Sequence, residues 1–318
     1  MKRRSFLIGT GLSGLALYPS AAQAQFSGLG NMIKDLGMPR LPSFFKGPQP
    51  VSTSIKDAVF GDPSKDRWAP SARVANLVGL QRVDGGGFVL KAGYHRMTAQ
   101  SFCLHAGTHG PGGGEGYLYA PLSGSARDAV TSILQNCVAK PEIEQHDIQL
   151  LLWAIISRSK FEDLNSEMKL VASQLLTPKQ VASLNRNALA VLTSSEFQRL
   201  TGGLPAPVRA VMEAESRMRG MFSGPALAYR DMESVAMLAG VVPRGEGSVD
   251  TPATRWSLHP DGYWIRYTPR GYSQTVVEIW VEPGTAAIGK AYNPADHVAV
   301  PGNTARQRLG LCGRESVG

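Results

Sequence analysis

Apolar residues recur at helical spacing through the middle of the chain. Within residues 125–138, Val130, Ile133, Leu134 and Val138 fall on one face of a helix. Thr177-Pro178 has the form of a helix start, with a capping residue followed by proline at the first position. Three further segments show the helical period, at residues 161–176, 208–222 and 229–238. The middle of the chain is therefore predicted to be a helical block.

The hydrophobic pattern changes to alternation on both sides of this block. Residues 88–104 read as strand and turn, and segments 255–258, 263–267 and 275–281 alternate apolar with polar positions. Two Pro-x-Gly turns separate the last three segments, which predicts an antiparallel meander. The predicted fold class is α+β, with N-terminal strands packed on a helical block and an antiparallel β meander near the C-terminus.

Changes in composition suggest boundaries along the chain. Glycine and proline are frequent in residues 25–55, which predicts an extended leader, and an α+β domain is predicted over 56–240. Residues 241–254 read as a linker, 255–300 as the meander and 301–318 as a basic tail. The sequence leaves open whether the meander is a separate domain or completes the sheet of the first one.

One helix in the block, at residues 145–158, is hydrophobic on every side. Eight of the nine residues of 148–156 are apolar, so this helix must lie inside the protein. Gln149 is the exception, and a buried amide without partners costs about 1–3 kcal/mol. Cys103, forty-six residues upstream at the end of the predicted strand, is a candidate neighbour. We therefore expect Cys103 and Gln149 to meet.

The first 24 residues have the features of an export signal. Lys2-Arg3-Arg4-Ser5-Phe6-Leu7 contains paired arginines in a basic region, an apolar stretch follows, and Ala22-Gln23-Ala24 supplies a small-x-small cleavage site. We interpret residues 1–24 as a twin-arginine signal peptide. The mature product is then expected to be periplasmic or secreted, without a further membrane-spanning segment.

Charge and composition narrow the classes of partner. The formal net charge of the 318 residues is +8, and the basic residues are scattered and not interleaved with aromatics in a dense run. Nucleic acid is therefore not an expected partner. The glycine-rich loop at residues 105–116 lacks the pattern of a phosphate-binding loop, and no cofactor is predicted.

The chain contains three cysteines, Cys103, Cys137 and Cys312. An odd number in an exported protein leaves at least one thiol free or chemically engaged. A Cys103–Cys137 disulfide with Cys312 left over is one interpretation. The twin-arginine route transports folded proteins from a reducing cytosol, so the thiols are also available for other chemistry.

Two short motifs stand in order around Cys103 and Gln149. They are Phe102-Cys103-Leu104 and Ile148-Gln149-Leu150-Leu151-Leu152-Trp153. Over residues 88–160 the chain resembles the thioester domains of bacterial surface adhesins, which have an aromatic or Leu before Cys and a later apolar-Gln-x-x-apolar-apolar motif. It departs from those adhesins in lacking a wall-anchoring motif and a trailing transmembrane segment.

The resemblance implies an internal thioester between Cys103 and Gln149. Such a bond would attach the protein covalently to an amine or hydroxyl of a surface protein or glycan. Each molecule would react once, which is closer to covalent binding than to enzymatic catalysis. It would need a proton shuttle, for which His105, His109 and His146 are the candidates.

Other interpretations of the same residues remain open. Cys103, His105 and His109 have a spacing suited to part of a zinc or copper site, with Glu115 as a fourth ligand. A Cys103/histidine pair would suit a hydrolase. Alternatively, Cys103 is a buried small hydrophobe and Gln149 a satisfied core amide in a non-catalytic periplasmic binding or structural protein.

Four aromatic residues of the meander form a separate candidate site. We interpret them as the packed face of the meander, and a carbohydrate platform would require two of them to be exposed on one side. These residues are Trp256, Trp264, Tyr267 and Trp280.

Overall fold

The sheet is organised around one long strand, Gly93–Cys103, which ends at the cysteine. The computed structural model describes residues 49–51, 54–204, 206–225 and 227–316. The predicted signal peptide at residues 1–24, and nearly all of the predicted leader at 25–55, lie outside the described residues.

Strands and helices are numbered here in chain order. The strands are β1 Gly61–Asp62, β2 Val74–Asn76, β3 Arg82–Val83, β4 Gly87–Val89, β5 Gly93–Cys103, β6 Thr108–His109, β7 Tyr117–Pro121, β8 Met237–Leu238, β9 Trp256–Leu258, β10 Trp264–Pro269, β11 Gln274–Val281, β12 Ala291–Tyr292, β13 His297–Pro301 and β14 Leu309–Glu315. The helices are α1 Arg127–Asn136, α2 Gln145–Ile156, α3 Ser166–Leu175, α4 Pro178–Arg186, α5 Ser194–Thr201, α6 Ala206–Phe222 and α7 Tyr229–Ala236.

Six strands pair antiparallel in a closed ring. The order is β10, β11, β5, β14, β13 and β7, and the ring closes where Tyr267 of β10 pairs with Tyr117 of β7. Beyond β10 the sheet continues through β9 to β1, while β2 joins β5 in parallel. Two small sheets, β12-β4-β3 and β6-β8, lie outside this path.

Alternation along the ring strands divides the core into two large clusters. On β7, for example, Tyr117 and Tyr119 join an aromatic-rich cluster with residues of β10 and β11, whereas Leu118 and Ala120 pack with the helices. This is the period of two expected for strands buried on both faces. The predicted α+β class is confirmed.

Helix α2 lies at the centre of the helical cluster. Its residues Ile148–Ile156 are all buried, as the sequence predicted, and α3, α6 and α7 pack against it. The predicted start of α4 is also found, since Thr177 and Gln180 form a reciprocal capping box. Helix α5, which begins with a second capping box at Thr193, was not predicted from the apolar spacing.

The C-terminal quarter of the chain contributes to the same ring as the early strands. The predicted meander is present as β9, β10 and β11, and β11 pairs along β5 from Gly93 to Gln100, so the meander completes the first sheet. The expectation of a basic tail after residue 301 is wrong. Strand β14 is buried over Leu309–Gly313 and pairs with β5, because Leu309 and Leu311 alternate into the core despite the arginines around them.

No helix within the described ranges is long and apolar enough to cross a membrane.

Candidate functional site

The end of β5 is bonded to side chains of helix α2. Strand β11 accompanies β5 as far as Gln100, and Ser101 N–H still bonds Ser273 O at 2.9 Å. Beyond Ser101 the side chain of Gln149 replaces β11 as the hydrogen-bond partner of β5. Its Oε1 accepts from Cys103 N–H at 2.7 Å, and its Nε2 donates to Cys103 O at 3.1 Å. The structure thus brings Cys103 and Gln149 into direct contact.

A second glutamine one turn earlier supports the same edge. Gln145 Nε2 donates to Ser101 O at 3.1 Å and to Ser273 O at 2.8 Å. The spacing of the two glutamines along the helix matches the spacing of their partners along the strand. Residues four apart on a helix are separated by about 6 Å along its axis, and residues two apart on a strand by nearly 7 Å. Gln145 and Gln149 therefore reach Ser101 and Cys103, whose polar backbone groups point to the same edge.

The thiol of Cys103 is fully buried in an apolar setting. Its Sγ lies 3.9 Å from Sδ of Met237, the residue that follows helix α7. Burial, reinforced by the negative charge of nearby Glu233, raises the pKa of the Cys103 thiol well above its usual value. The sulfur is therefore a neutral thiol at neutral pH, shielded from water.

An aromatic residue of α7 covers the face of α2 that carries Gln149. His146 and Trp153 lie one turn before and one turn after Gln149, and the ring of Tyr229 contacts both, with centroids 4.1 Å from His146 and 5.4 Å from Trp153. His146 is exposed and Tyr229 half-buried, whereas Gln149 is buried. Exposed His146 and half-buried Tyr229 thus lie on the face of α2 that carries the buried amide.

Tyr229 is the inner end of a hydrogen-bonded chain. Its hydroxyl is 2.9 Å from that of Tyr272, which in turn donates to the carboxylate of Glu233. Burial, followed by the hydrogen bonds to Glu233 and Tyr229, raises the pKa of Tyr272, so both phenols keep their protons at neutral pH. The chain joins a half-buried carboxylate to the cover over Gln149.

The three candidate histidines differ in their surroundings. Burial, followed by the positive charge of Arg308, lowers the pKa of His105 to about 3, so this imidazole is a weak base. His109 is buried in β6, with its backbone bonded to Ala305 and Gln307. His146 is solvent-exposed and shares the Gln149 face of α2. Of the three, the contacts favour His146.

The predicted alternative metal site is not assembled. Within the described part of the chain, no group of three or more His, Cys, Asp or Glu side chains is arranged to hold a metal ion. Glu115, the suggested fourth ligand with Cys103, His105 and His109, instead forms an ion pair with Arg306. The glycine-rich loop wraps this arginine, which also donates to Gly110 O at 2.6 Å.

The two rival uses of Cys103 also lack support in its contacts. The three cysteines are free thiols in the structure, so the suggested Cys103–Cys137 disulfide is not formed. The Cys103 sulfur contacts Sδ of Met237, and it forms no hydrogen bond to a histidine among the described residues. A hydrolase-type Cys/His pair is therefore not formed.

The meander aromatics do not form an open platform. Trp256, Trp264 and Tyr267 are buried, and the tryptophans pack around Trp68 at centroid distances of 5.5–6.0 Å. They do not share one packed face, because Trp256 and Trp264 cluster with Trp68 and Trp280, whereas Tyr267 lies in the aromatic-rich core cluster. Since three of the four are buried, no two are exposed on one side, and the carbohydrate-platform alternative is wrong.

No protein family, curated protein or solved structure matches this chain. The site must therefore be interpreted from its own contacts. Sequence reasoning missed five residues around it, namely Gln145, Tyr229, Glu233, Met237 and Tyr272. Gln145 was detectable, because it stands four positions before Gln149 and shares its helix face, whereas the other four approach from distant segments.

Proposed function

We propose that Cys103 and Gln149 form an internal thioester through which this protein attaches covalently to an amine or hydroxyl of a partner. The observation that carries the proposal is the paired contact of the Gln149 amide with both backbone polar groups of Cys103. This contact places the amide carbon beside the residue that carries the thiol, inside an apolar core. We further propose that the protein is exported and that its partner is a surface protein or glycan.

Formation of the bond requires no external reagent. The Cys103 sulfur adds to the side-chain carbonyl of Gln149, the C–N bond breaks, and the thiol proton leaves with the nitrogen as ammonia. The fixed contact between the two residues replaces the entropy cost of a bimolecular encounter. Exclusion of water then protects the product from hydrolysis.

The backbone of Cys103 is suited to promote this step. Its N–H, 2.7 Å from Oε1 of Gln149, donates to the oxygen on which negative charge develops in the tetrahedral intermediate. Its carbonyl, 3.1 Å from Nε2, holds the nitrogen that departs. The first bond can persist in the thioester, where it polarises the carbonyl towards a second nucleophile.

Attack by a partner then opens the thioester, with the Cys103 sulfur as the leaving group. An amine adds to the thioester carbonyl, the C–S bond breaks, Cys103 recovers a thiol proton from the amine, and an amide joins partner and Gln149. His146 and Tyr229 line the route by which the amine reaches the carbonyl. The Tyr229–Tyr272–Glu233 chain can accept this proton from the amine and return it to the Cys103 sulfur as the C–S bond breaks.

The test is the intact mass of freshly purified mature protein. We expect it to be lighter by one ammonia than the sequence requires, and methylamine should add its full mass to that species. Cys103→Ala should show the full sequence mass and no methylamine adduct. In the wild type, Cys103 should resist alkylation under denaturing conditions until an amine opens the bond.

A second candidate, in which Gln149 acts purely as a structural tether, is favoured by one observation. Both polar atoms of its amide are already satisfied by Cys103, so the amide imposes no penalty as it stands. This alternative predicts the full sequence mass and a Cys103 that is alkylated on unfolding without any amine. Either result on freshly purified wild-type protein would overturn the thioester proposal.

A further inference from the structure

The two cysteines that the proposed thioester does not use, Cys137 and Cys312, lie close together where the end of helix α1 packs against β14. Cys137 follows the last residue of α1, and Cys312 lies in the middle of β14. Both side chains are fully buried in the same core cluster, where the turn that begins at Cys137 packs against β14, and each thiol shifts the pKa of the other. Cys137 also donates to Leu134 O at 3.4 Å, whereas Gln100 Oε1 is 4.0 Å from the Cys312 sulfur.

The backbone on both sides of this pair is held by arginines. Arg314, two residues after Cys312, donates to Ile143 O at 3.0 Å and to Pro141 O at 2.9 Å, which ties β14 to the segment after Cys137. Arg82 donates to Gly313 O at 2.8 Å. The two sulfurs are thus kept adjacent by contacts that do not involve them.

The surroundings favour ionisation of one thiol of the pair. Burial raises the pKa of Cys312, but the hydrogen bond from Cys137, the backbone N–H of Arg314 and the charges of Arg314 and Arg82 outweigh it, so the pKa is lowered. The hydrogen bond to Cys312, followed by burial, raises the pKa of Cys137. Cys312 is therefore the thiol that becomes the nucleophilic thiolate.

We propose that Cys137 and Cys312 form an intramolecular disulfide when the protein meets a small-molecule disulfide oxidant, fastening the end of α1 to β14. The Cys312 thiolate attacks one sulfur of the oxidant and releases the first thiol. Cys137 then attacks the mixed disulfide at Cys312 and releases the second. Two protons and two electrons pass to the oxidant, whose own disulfide is reduced. Because both sulfurs are buried, the exchange proceeds as the segment after α1 opens locally.

This disulfide is chemically separate from the proposed thioester. It uses neither Cys103 nor Gln149, and it lowers the mass by two hydrogens and not by an ammonia. The Cys103→Ala protein, which cannot form the thioester, therefore contains only the two thiols in question. Failure of one proposal would leave the other standing.

The experiment treats folded Cys103→Ala protein with oxidised glutathione, then alkylates it in denaturant without reductant. We expect a protein lighter by two hydrogens that takes up no alkyl group, and two alkyl groups after reduction. Proteolysis of the oxidised sample should release a linked peptide pair containing Cys137 and Cys312. Cys103→Ala/Cys137→Ala, with one thiol, should show no loss of hydrogens.

Two alkyl groups on the oxidant-treated Cys103→Ala protein, or only glutathione adducts on separate thiols, would overturn the proposal. If Cys103→Ala does not fold, the same peptide map is made from wild-type protein opened with methylamine. There a linked Cys137–Cys312 pair supports the proposal, and its absence after oxidation rejects it. The oxidised protein should also melt at a higher temperature than the reduced one, a difference that Cys137→Ala should abolish.

Discussion

Gln149 makes with Cys103 both of the hydrogen bonds that a neighbouring strand would make, at 2.7 and 3.1 Å. A helix side chain therefore completes the ladder of β5 where β11 leaves it. These two bonds satisfy the polar groups of the buried Gln149 amide and of the buried strand end together. They also hold the amide carbon, the proposed electrophile, beside the residue that carries the thiol. Stability and chemistry at this site consequently depend on the same two residues.

The first prediction concerns stability. Gln149→Ala should lower the free energy of unfolding by about 1–3 kcal/mol, because it leaves the N–H and C=O of Cys103 buried without partners. Gln145→Ala is the matched control on the same helix face, and it should cost less because Gln145 is only half-buried. Urea unfolding of the two variants after methylamine treatment provides the comparison. Equal losses would contradict the strand-end role of Gln149.

A second prediction concerns the rate at which amines react. Tyr229→Phe and Glu233→Gln should slow methylamine incorporation about a hundredfold, the lower range for loss of a proton-transfer group. The ammonia deficit of the untreated protein should remain in both variants. Mass spectrometry over time follows the reaction. Tyr263→Phe, which removes a buried phenol in the other core cluster, is the control and should react at the wild-type rate.

A third prediction uses the same assay to distinguish His146 from His105 as the proton shuttle. His146→Gln should slow methylamine incorporation, since His146 lines the route to Gln149, whereas His105→Asn should affect it little if the protein remains folded. Incorporation that is unchanged in His146→Gln but lost in folded His105→Asn would transfer the shuttle role to His105. Circular dichroism of each variant checks the fold.

A fourth prediction concerns acid stability. His297 is buried against Tyr119, Tyr292 and His259, and burial followed by the charge of His259 lowers its pKa to about 3. The unfolded chain binds a proton on this residue below its usual pKa near 6.5 while the folded state does not. Its contribution to stability is therefore present above pH 6.5 and lost as the pH falls towards 3, by up to about 1.4 kcal/mol per pH unit.

The measurement is urea unfolding of wild type and His297→Leu between pH 7 and pH 4. The variant should lose stability less steeply on acidification than the wild type. A His297→Leu slope equal to that of the wild type would contradict the prediction.

Local patterns were sufficient to predict much of the fold. Helix α2 was evident because its apolar residues leave no polar face, and strand β11 because apolar and polar positions alternate after the second Pro-x-Gly turn. Strand β14 was missed because Leu309 and Leu311 stand among glycines and arginines. Only the pairing of β14 with β5 identifies this segment as a strand. Closure of the ring through Tyr117 and Tyr267 likewise leaves no local trace in the sequence.

The candidate site shows the same division. Gln149 was conspicuous because it is a lone polar residue in an apolar helix, and Cys103 because it ends a strand. Their cover was not predictable, because Tyr229, Glu233 and Tyr272 reach the site from α7 and the β10–β11 turn, and their side chains become partners only in the folded protein. The contact between Cys137 and Cys312 is equally non-local.

The closed ring also sets an order of assembly. Cys103 pairs with Leu309 in β14, near the opposite end of the chain, and its sulfur contacts Met237, while its backbone bonds Gln149. The thiol therefore cannot reach its enclosed position until β14 has been synthesised. Until then, the edge of β5 at Cys103 has no β14 to pair with, so the enclosure of the thiol depends on a contact between residues 206 positions apart.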